Sequence, residues 1–216
     1  FLVNHQANQD MSLKIGVSPE QLPLTESAHI VVGNALRMDW NDVLPAGPNV
    51  FVMGNPPFLG DNTREVEQAE DLRQAWGGDK VLSRMDYVTG WHAQAMHYFA
   101  NQPVGRFAFV TTNSIAQGQP VPALFGPLHR EGWTIPFAHR TFAWSSEAPG
   151  SASVHCVIVG FSKGISLKGA RLFSYERSQG QPLEEPVGAI NPYLVEGPWV
   201  LVAKRSKPLA NLPAAV

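Results

Sequence analysis

Cysteine is almost missing from this chain of 216 residues, which contains Cys156 alone. A single cysteine excludes an internal disulfide framework and is typical of a cytoplasmic protein kept under reducing conditions. Long apolar runs are missing as well, so the sequence predicts no membrane-spanning helix and no membrane partner. The first residues also lack the basic flank and the cleavage site of a signal peptide.

An excess of positive charge is missing too, because 16 Lys and Arg stand against 18 Asp and Glu, for a net charge of −2. Affinity for nucleic acid rests largely on Lys and Arg at phosphates, so this composition is a poor basis for binding DNA unaided. Apolar residues make up 44% of the chain and charged residues only 16%. This balance excludes a disordered segment and predicts a domain with a substantial core.

Apolar runs and helical periodicities alternate along the chain. Strands are predicted at residues 29–32, 50–53, 106–112, 135–142 and 153–161, and helices at 1–14, 63–76, 85–99 and 121–130. This alternation indicates an α/β fold with a mostly parallel, doubly wound sheet. The short segment between the last two strands predicts an antiparallel strand near the end of the sheet. Residues 165–216 are rich in Pro and Gly, which is typical of an extension and linker.

Asn55, Pro56, Pro57 and Phe58 follow the run at 50–53, which predicts a buried strand with a turn at its carboxyl end. In such a turn, the Asn side-chain oxygen and the carbonyl of the first Pro can accept both hydrogens of an exocyclic amino group. This frees the lone pair of the amino nitrogen for attack on a methyl group. The aromatic ring can stack on the base. A plain turn is the alternative, because Asn-Pro and Pro-Pro pairs mark turns.

Further segments accompany this motif in a fixed order. They are residues 33–40, 55–60, 86–88, 111–118, 139–144, 154–161 and 190–195. On these segments the chain resembles the adenine-N6 methyltransferase domain of the type IIL, MmeI-like restriction-modification family. The resemblance implies a partial class I S-adenosylmethionine-dependent methyltransferase fold. Residues 1–164 would then be the C-terminal, base-binding part of the catalytic domain, and residues 165–216 would lead toward a target-recognition domain.

The resemblance also implies roles for residues outside the turn. Asn34 would lie near the cofactor adenine, with a structural Asn in a turn as the alternative. Asp86 and Tyr87 would begin a helix against the cofactor pocket, although Asp86 could equally be a helix N-cap. Phe142 would pack on the second face of a flipped base. Trp144 is the rival for that role, and core packing is the alternative for both rings.

Three polar residues are candidates for contact with DNA. His139 and Arg140 could meet a phosphate or the gap that a flipped base leaves, and a structural His is the alternative. Asn113 follows a strand where a parallel sheet exposes its functional edge, and a plain turn would also explain it. No metal site is expected, because no usual zinc spacing relates His92, His97, His129 and Cys156.

The family's glycine-rich loop and the acidic residue that hold S-adenosylmethionine have no visible counterpart in the sequence. We therefore expect a fragment that is inactive alone and that meets S-adenosylmethionine and double-stranded DNA within a longer protein. An apolar sheet edge left unpaired would favour self-association. Other substrates remain open, namely the N4 of cytosine, RNA or a protein amide. The alternative from another class is a non-catalytic module that binds DNA or protein.

Overall fold

The computed structural model describes residues 28–144, 154–177, 180–202 and 204. The chain divides into two units, Phe1–Val32 and Gly33–Val216. In the first unit the described residues, 28–32, have no regular secondary structure, so the strand predicted at 29–32 is wrong. An apolar run forms a strand only beside a neighbour that completes its hydrogen bonds, and no described strand pairs with this one. The helix predicted at 1–14 lies outside the described residues.

The described part of the second unit contains four α-helices and seven strands. The helices are α1 (Trp40–Val43), α2 (Val66–Ala75), α3 (Thr89–Tyr98) and α4 (Pro120–Arg130). The strands are β1 (Val52–Gly54), β2 (Gly105–Thr112), β3 (Trp133–Thr134), β4 (Phe137–Trp144), β5 (Val154–Lys163), β6 (Ala170–Ser174) and β7 (Leu183–Val187). Two 3₁₀ turns, Leu82–Arg84 and Asn113–Ala116, precede α3 and α4.

All seven strands form one sheet, in the order β1-β2-β5-β4-β6-β7, with β3 also paired to β5. The pairs β1–β2 and β4–β6 are parallel, whereas β5 runs antiparallel to β2, β3 and β4, and β7 runs antiparallel to β6. Five strands of the described sheet therefore point one way, and β5 and β7 point the other. The predicted α/β fold with a mostly parallel sheet is confirmed, as is the antiparallel pairing of β4 with β5.

Strand β2 shows why one face of the sheet holds the core. Its residues alternate between buried and half-buried along all eight positions, as the two-residue period of a strand requires. On the buried face, His92 of α3 packs against Phe107 and Phe109, and Phe125 of α4 packs against Phe161 of β5. Because β1, β2, β4 and β6 run in the same direction, their carboxyl ends lie at one edge of the sheet.

The sheet continues beyond Gly164. Strands β6 and β7 lie in the segment that the sequence analysis treats as extension and linker, and they add two strands to the same sheet. The division into residues 1–164 and 165–216 stays a prediction as an assignment of domains. Within the described ranges, no helix combines the length and the apolar character that crossing a membrane requires.

Candidate functional site

We call residues 55–58 the Asn55 turn, after the predicted motif. They begin where β1 ends, and their backbone forms neither a hydrogen-bonded turn nor a bend. Strand β1 has three residues and pairs with β2 alone among the described strands, with Gly54 opposite Phe109. The strand predicted here is present, but the prediction that it is buried is wrong. Phe51 is 61% exposed and Met53 is 77% exposed. An edge strand with one neighbour leaves its other side uncovered. The turn therefore lies at an accessible edge of the sheet.

The turn itself combines one free side chain with a buried anchor. Asn55 is exposed, and no other described residue forms a hydrogen bond with its side chain. Pro56 is buried, Pro57 is exposed and Phe58 is half-buried. Together with Trp40, Trp91 and Phe109, residues 52–57 line a cleft of about 350 Å³. The Asn55 amide is thus available to a ligand next to a cleft with aromatic walls.

Asp86 holds the residue that follows the turn. Its Oδ1 accepts hydrogen bonds from the backbone amides of Leu59 and Val88, both at 3.1 Å, and its Oδ2 accepts one from the Thr112 hydroxyl at 3.3 Å. The Tyr87 amide donates to the Leu59 carbonyl at 2.9 Å. The N-cap residue of α3 is Val88, without a side-chain cap, and Asp86 lies two residues before it. The carboxyl group of Asp86 therefore joins the start of this helix to the turn and to the end of β2.

A second carboxyl group, which the sequence analysis missed, organises the other predicted cofactor residues. Asp71 of α2 is only 4% exposed. It accepts hydrogen bonds from Asn34 Nδ2 at 2.7 Å, Arg37 Nε at 2.6 Å and the Tyr87 hydroxyl at 3.1 Å. Asn34 Oδ1 accepts a further bond from the Leu36 amide at 3.0 Å. We call Asn34, Arg37, Asp71 and Tyr87 the Asp71 cluster.

Electrostatics in the Asp71 cluster favour a charged carboxylate beside a neutral phenol. Burial alone would raise the pKa of Asp71, but hydrogen bonds from Arg37, Asn34 and Tyr87 outweigh burial and lower it. Burial and the bond to Asp71 raise the pKa of Tyr87 to about 12. The side chains of Asn34 and Tyr87 are therefore occupied within the protein. Only one feature of the sequence could have indicated a role for Asp71, namely its position beside Leu72 on the buried side of a polar helix.

An irregularity in β4 determines which predicted DNA-side residues share a face. His139 pairs with Ile158 but Phe142 pairs with Cys156, so β4 contains one extra residue between them. Since Cys156 and Ile158 are two residues apart, this bulge puts His139 and Phe142 on the same face of the sheet. Both contact Tyr175. The His139 Nδ1 and the Tyr175 hydroxyl are 2.8 Å apart, and the ring centroids of Phe142 and Tyr175 are 5.2 Å apart.

Tyr175, just beyond the end of β6, is the other residue that the sequence analysis missed. The ring of His139 also stacks on Phe173, at 4.2 Å between centroids, and burial followed by the charge of Arg171 lowers the pKa of His139. The one available signal was the alternating run before Tyr175, which resembles a strand. His139 is thus a half-buried side chain with partners on two sides, while Trp144 at the end of β4 is largely open to solvent.

Arg140 and Asn113 line a separate cleft of about 410 Å³, together with Gln117, Tyr175 and Leu194. Arg140 Nε donates to the Leu194 carbonyl at 2.9 Å, and its Nη1 donates to Ser174 Oγ at 3.3 Å. The structure therefore brings these two predicted DNA-side residues together, at the same edge of the sheet as the Asn55 turn but around a different cleft.

A row of paired residues connects the Asn55 turn to Phe142. Thr112, which donates to Asp86, lies opposite Cys156 of β5, and Cys156 lies opposite Phe142 of β4. Burial, with the charge of Asp86 adding to it, raises the pKa of the Cys156 thiol to about 11. Cys156 is therefore a neutral part of the sheet rather than a nucleophile. Phe142 itself is buried except for 8% of its surface.

The histidines considered for a metal site have other environments. His92 is fully buried among Phe107, Phe109 and Phe161, and burial lowers its pKa to about 4. The ring of His129 stacks on Trp199, with centroids 4.8 Å apart. Among the described residues, no three His, Cys, Asp or Glu side chains are grouped so that they could hold a metal ion.

Comparison with known proteins identifies the family. A family model for the DNA-methyltransferase domain of MmeI matches residues 1–174. The chain belongs to the MmeI DNA-methyltransferase domain family. Among solved structures, this family member is similar to the type IIL restriction-modification enzyme MmeI in complex with DNA, at 42% identity and a TM-score of 0.83. The resemblance inferred from the sequence segments is confirmed.

A curated relative supports the same assignment. The DNA methyltransferase A of Bacillus subtilis (strain 168) is 34% identical over 99% of this chain. The matched region makes up 24% of that protein, and the match to MmeI covers 98% of this chain and 28% of that one. This MmeI-family chain thus spans about a quarter of the length of the proteins that it matches.

Proposed function

We propose that this chain carries the target-base site of a DNA methyltransferase that methylates the N6 amino group of a flipped adenine within a restriction-modification protein. One observation carries the proposal. The exposed Asn55 side chain, without a hydrogen-bond partner among the described residues, lies at the carboxyl edge of the sheet beside an aromatic cleft. Ligands of open α/β sheets bind at this edge.

The chemistry follows from the acceptors in the turn. Asn55 Oδ1 and the Pro56 carbonyl each accept one hydrogen of the adenine amino group, which shifts electron density onto the nitrogen. Two fixed acceptors stabilise the positive charge that develops on the nitrogen as it is methylated. The buried ring of Pro56 fixes the direction of its carbonyl, so little reorganisation is needed at the moment of reaction. Once the methyl group is attached, the nitrogen returns to a neutral state by releasing one of its two hydrogens as a proton to solvent.

Stacking completes the proposed base site. Adenine must leave the duplex to reach the turn, and aromatic stacking offsets part of the lost base stacking. We assign Phe58 to one face of the base and Phe142 to the other. Phe142 lies at the carboxyl end of β4, in register with Thr112 through Cys156, which supports the assignment. Trp144, exposed at the end of the same strand, is the alternative to Phe142.

The described residues fit S-adenosylmethionine only in part. The cleft beside Asn55, with Trp40 and Trp91 in its walls, could take one end of such a molecule, which supplies an electrophilic methyl group when bound. The family resemblance assigns Asn34, Asp86 and Tyr87 to the cofactor, but their side chains form hydrogen bonds within the protein. We therefore propose that the chain alone is inactive and that further residues of a longer protein complete the cofactor site.

We also propose contacts between this chain and double-stranded DNA. Arg140 and Asn113 line one cleft, and His139 is the residue before Arg140 in β4. With a net charge of −2, the chain depends on the rest of the longer protein for most of the phosphate contacts. The isolated chain is proposed to self-associate through the exposed apolar residues of β1, which light scattering would measure. A protein that methylates genomic DNA in bacteria acts in the cytoplasm.

The proposal is tested in a full-length protein that contains this chain, expressed in a host without DNA methylation. Mass spectrometry of digested DNA should detect N6-methyladenine with the unchanged protein and none with Asn55→Ala. Asn62→Ala, an exposed Asn in the next loop, is the matched control and should methylate normally. Methylation at N4 of cytosine would change the substrate assignment. A folded protein that binds DNA and leaves no methylated base would overturn the enzyme proposal in favour of a binding module.

A further inference from the structure

We propose that Asp86 is a positioning residue that fixes the Asn55 turn for catalysis, rather than a residue that binds the cofactor through its charge. This inference rests on the proposed function and deepens it. The family resemblance places Asp86 against the cofactor pocket, whereas its observed contacts all lead to the protein's own backbone and to Thr112.

The geometry joins three elements at one carboxyl group. Oδ1 accepts from the Leu59 amide, directly after the turn, and from the Val88 amide at the beginning of α3. Oδ2 accepts from Thr112 at the end of β2. The Leu59 carbonyl accepts from the Tyr87 amide, so the backbone after the turn is bound on both its amide and its carbonyl side.

The turn depends on the hydrogen bonds of Asp86 because the strand before it has few pairing contacts of its own. Strand β1 is three residues long, and its hydrogen bonds to a described strand lie on one side only. On its other side the turn continues into residues 59–65, where Arg64 Nη1 donates to the Met85 carbonyl at 2.7 Å. The segment 85–86 is therefore the point to which both the turn and the loop after it are attached.

A small displacement of the turn would have a large chemical effect. The two acceptors on the amino group act by position, and a misplacement of about 1 Å can cost roughly 100-fold in rate. A carboxylate offers about four lone-pair sites, and three of those on Asp86 are already occupied within the protein. The arrangement supplies rigidity to the turn and leaves little of the carboxylate for a ligand.

Asp86→Asn separates positioning from charge. In this variant the amide oxygen can still accept from Leu59 and Val88, and the new NH₂ group can donate to Thr112 Oγ1. The Thr112 hydroxyl can then donate to Ser114 Oγ, which is 2.7 Å away. We expect Asp86→Asn to keep the methylation rate and the KM for S-adenosylmethionine within about threefold of the unchanged protein, because every hydrogen bond is replaced.

Asp86→Ala removes all three acceptors. We expect kcat to fall about 100-fold while the KM for the cofactor stays within about threefold. Hydrogen exchange of the full-length protein should show faster exchange in peptides that cover residue 59 in Asp86→Ala but not in Asp86→Asn. Thr112→Val removes the bond to Oδ2 and the bond to Ser114 Oγ but keeps both bonds to Oδ1, so it should lower kcat less than tenfold. It provides a second folded variant if Asp86→Ala does not fold.

Two results would overturn the inference. A folded Asp86→Asn protein with a cofactor KM raised tenfold or more would show that the charge of Asp86 acts on the cofactor. Unchanged exchange at residue 59 in a folded Asp86→Ala protein would show that the carboxyl group does not hold the turn. Failure of the proposed function is distinct, because the unchanged protein would then produce no N6-methyladenine whatever the exchange data show.

Discussion

The segment before α3 contacts the Asn55 turn through Asp86 and the Asp71 cluster through Tyr87. The two sites differ in whether their polar side chains have partners within the protein. In the turn, the Asn55 amide is exposed and has no hydrogen-bond partner among the described residues. In the cluster, Asn34 and Tyr87 both direct their side chains to a buried carboxylate. A polar residue in a family motif can therefore be free to meet a ligand or be bound within the protein itself. Under the proposed function, the unpaired Asn55 amide serves the reaction, whereas the paired atoms of the Asp71 cluster stabilise the fold.

The sharpest test of this contrast is Asn55→Ala in the purified full-length protein. We expect the methylation rate to fall by about 100-fold or more, because one of two fixed acceptors in the transition state is lost. The free energy of unfolding should change by less than about 0.5 kcal/mol, since the side chain is exposed and unpartnered. Single-turnover kinetics and thermal denaturation measure the two effects. A large loss of stability would place Asn55 with the structural residues.

Asp71→Ala should show the reverse pattern. It leaves Asn34 and the buried Tyr87 hydroxyl without their acceptor, and we expect a loss of about 2–3 kcal/mol in the free energy of unfolding. Because hydrogen bonds lower the pKa of Asp71, its stabilising effect is present above pH 4 and is lost as the pH falls further. Denaturation at pH 7 and pH 3 measures this dependence. Glu70→Ala, on the exposed side of α2, is the control and should change the free energy of unfolding much less, because its ion pair with Arg73 is open to solvent.

Tyr175→Phe tests the residues around the β4 bulge with a smaller change. It removes the hydroxyl that lies beside His139 but keeps the ring against Phe142, so we expect a stability loss of about 1 kcal/mol and a change in methylation rate of only a few-fold. Tyr98→Phe, which removes a bond to the Leu44 carbonyl far from Phe142, is the matched control. A rate loss specific to Tyr175→Phe, equal to that of Asn55→Ala, would move Tyr175 into the reacting site.

The smallest effect is expected at Val66. Helical spacing places it on the apolar face of α2, but it is 86% exposed. Val66→Glu should therefore change the free energy of unfolding by less than about 0.5 kcal/mol, measured by chemical denaturation. A loss above 2 kcal/mol would mean that a partner covers this side of α2 in the protein under test.

Much of the fold was predictable because its central elements have strong patterns. Strand β2 and helices α3 and α4 were predicted within a few residues, since apolar periodicity is clear where a strand or helix packs on the core. Strands β6 and β7 were missed. Strand β6 has five residues, and four of the five in β7 are exposed, so neither produces a clear apolar pattern. Their pairing depends on the neighbouring β4, which local sequence does not reveal.

The candidate site shows the same difference between features that depend on local sequence and features that depend on distant partners. The position of residues 55–58 directly after a strand was predicted, because the apolar run at 50–53 and the motif that follows it are adjacent in the sequence. Asp71 and Tyr175 were not, since each acquires its role through partners 16 to 37 residues away. Likewise, the exposure of β1 follows from its single described neighbour and not from its apolar residues.

The extra residue in β4 also affects how this region can change through evolution. Deleting one residue between His139 and Phe142 would give a regular ladder with β5, in which Phe142 still lies opposite Cys156 and on the same face as His139. The contact between Phe142 and Tyr175 would therefore survive the loss of the bulge. Relatives that keep this aromatic contact should vary both in the identity of residues 140 and 141 and, by one residue, in the length of the strand.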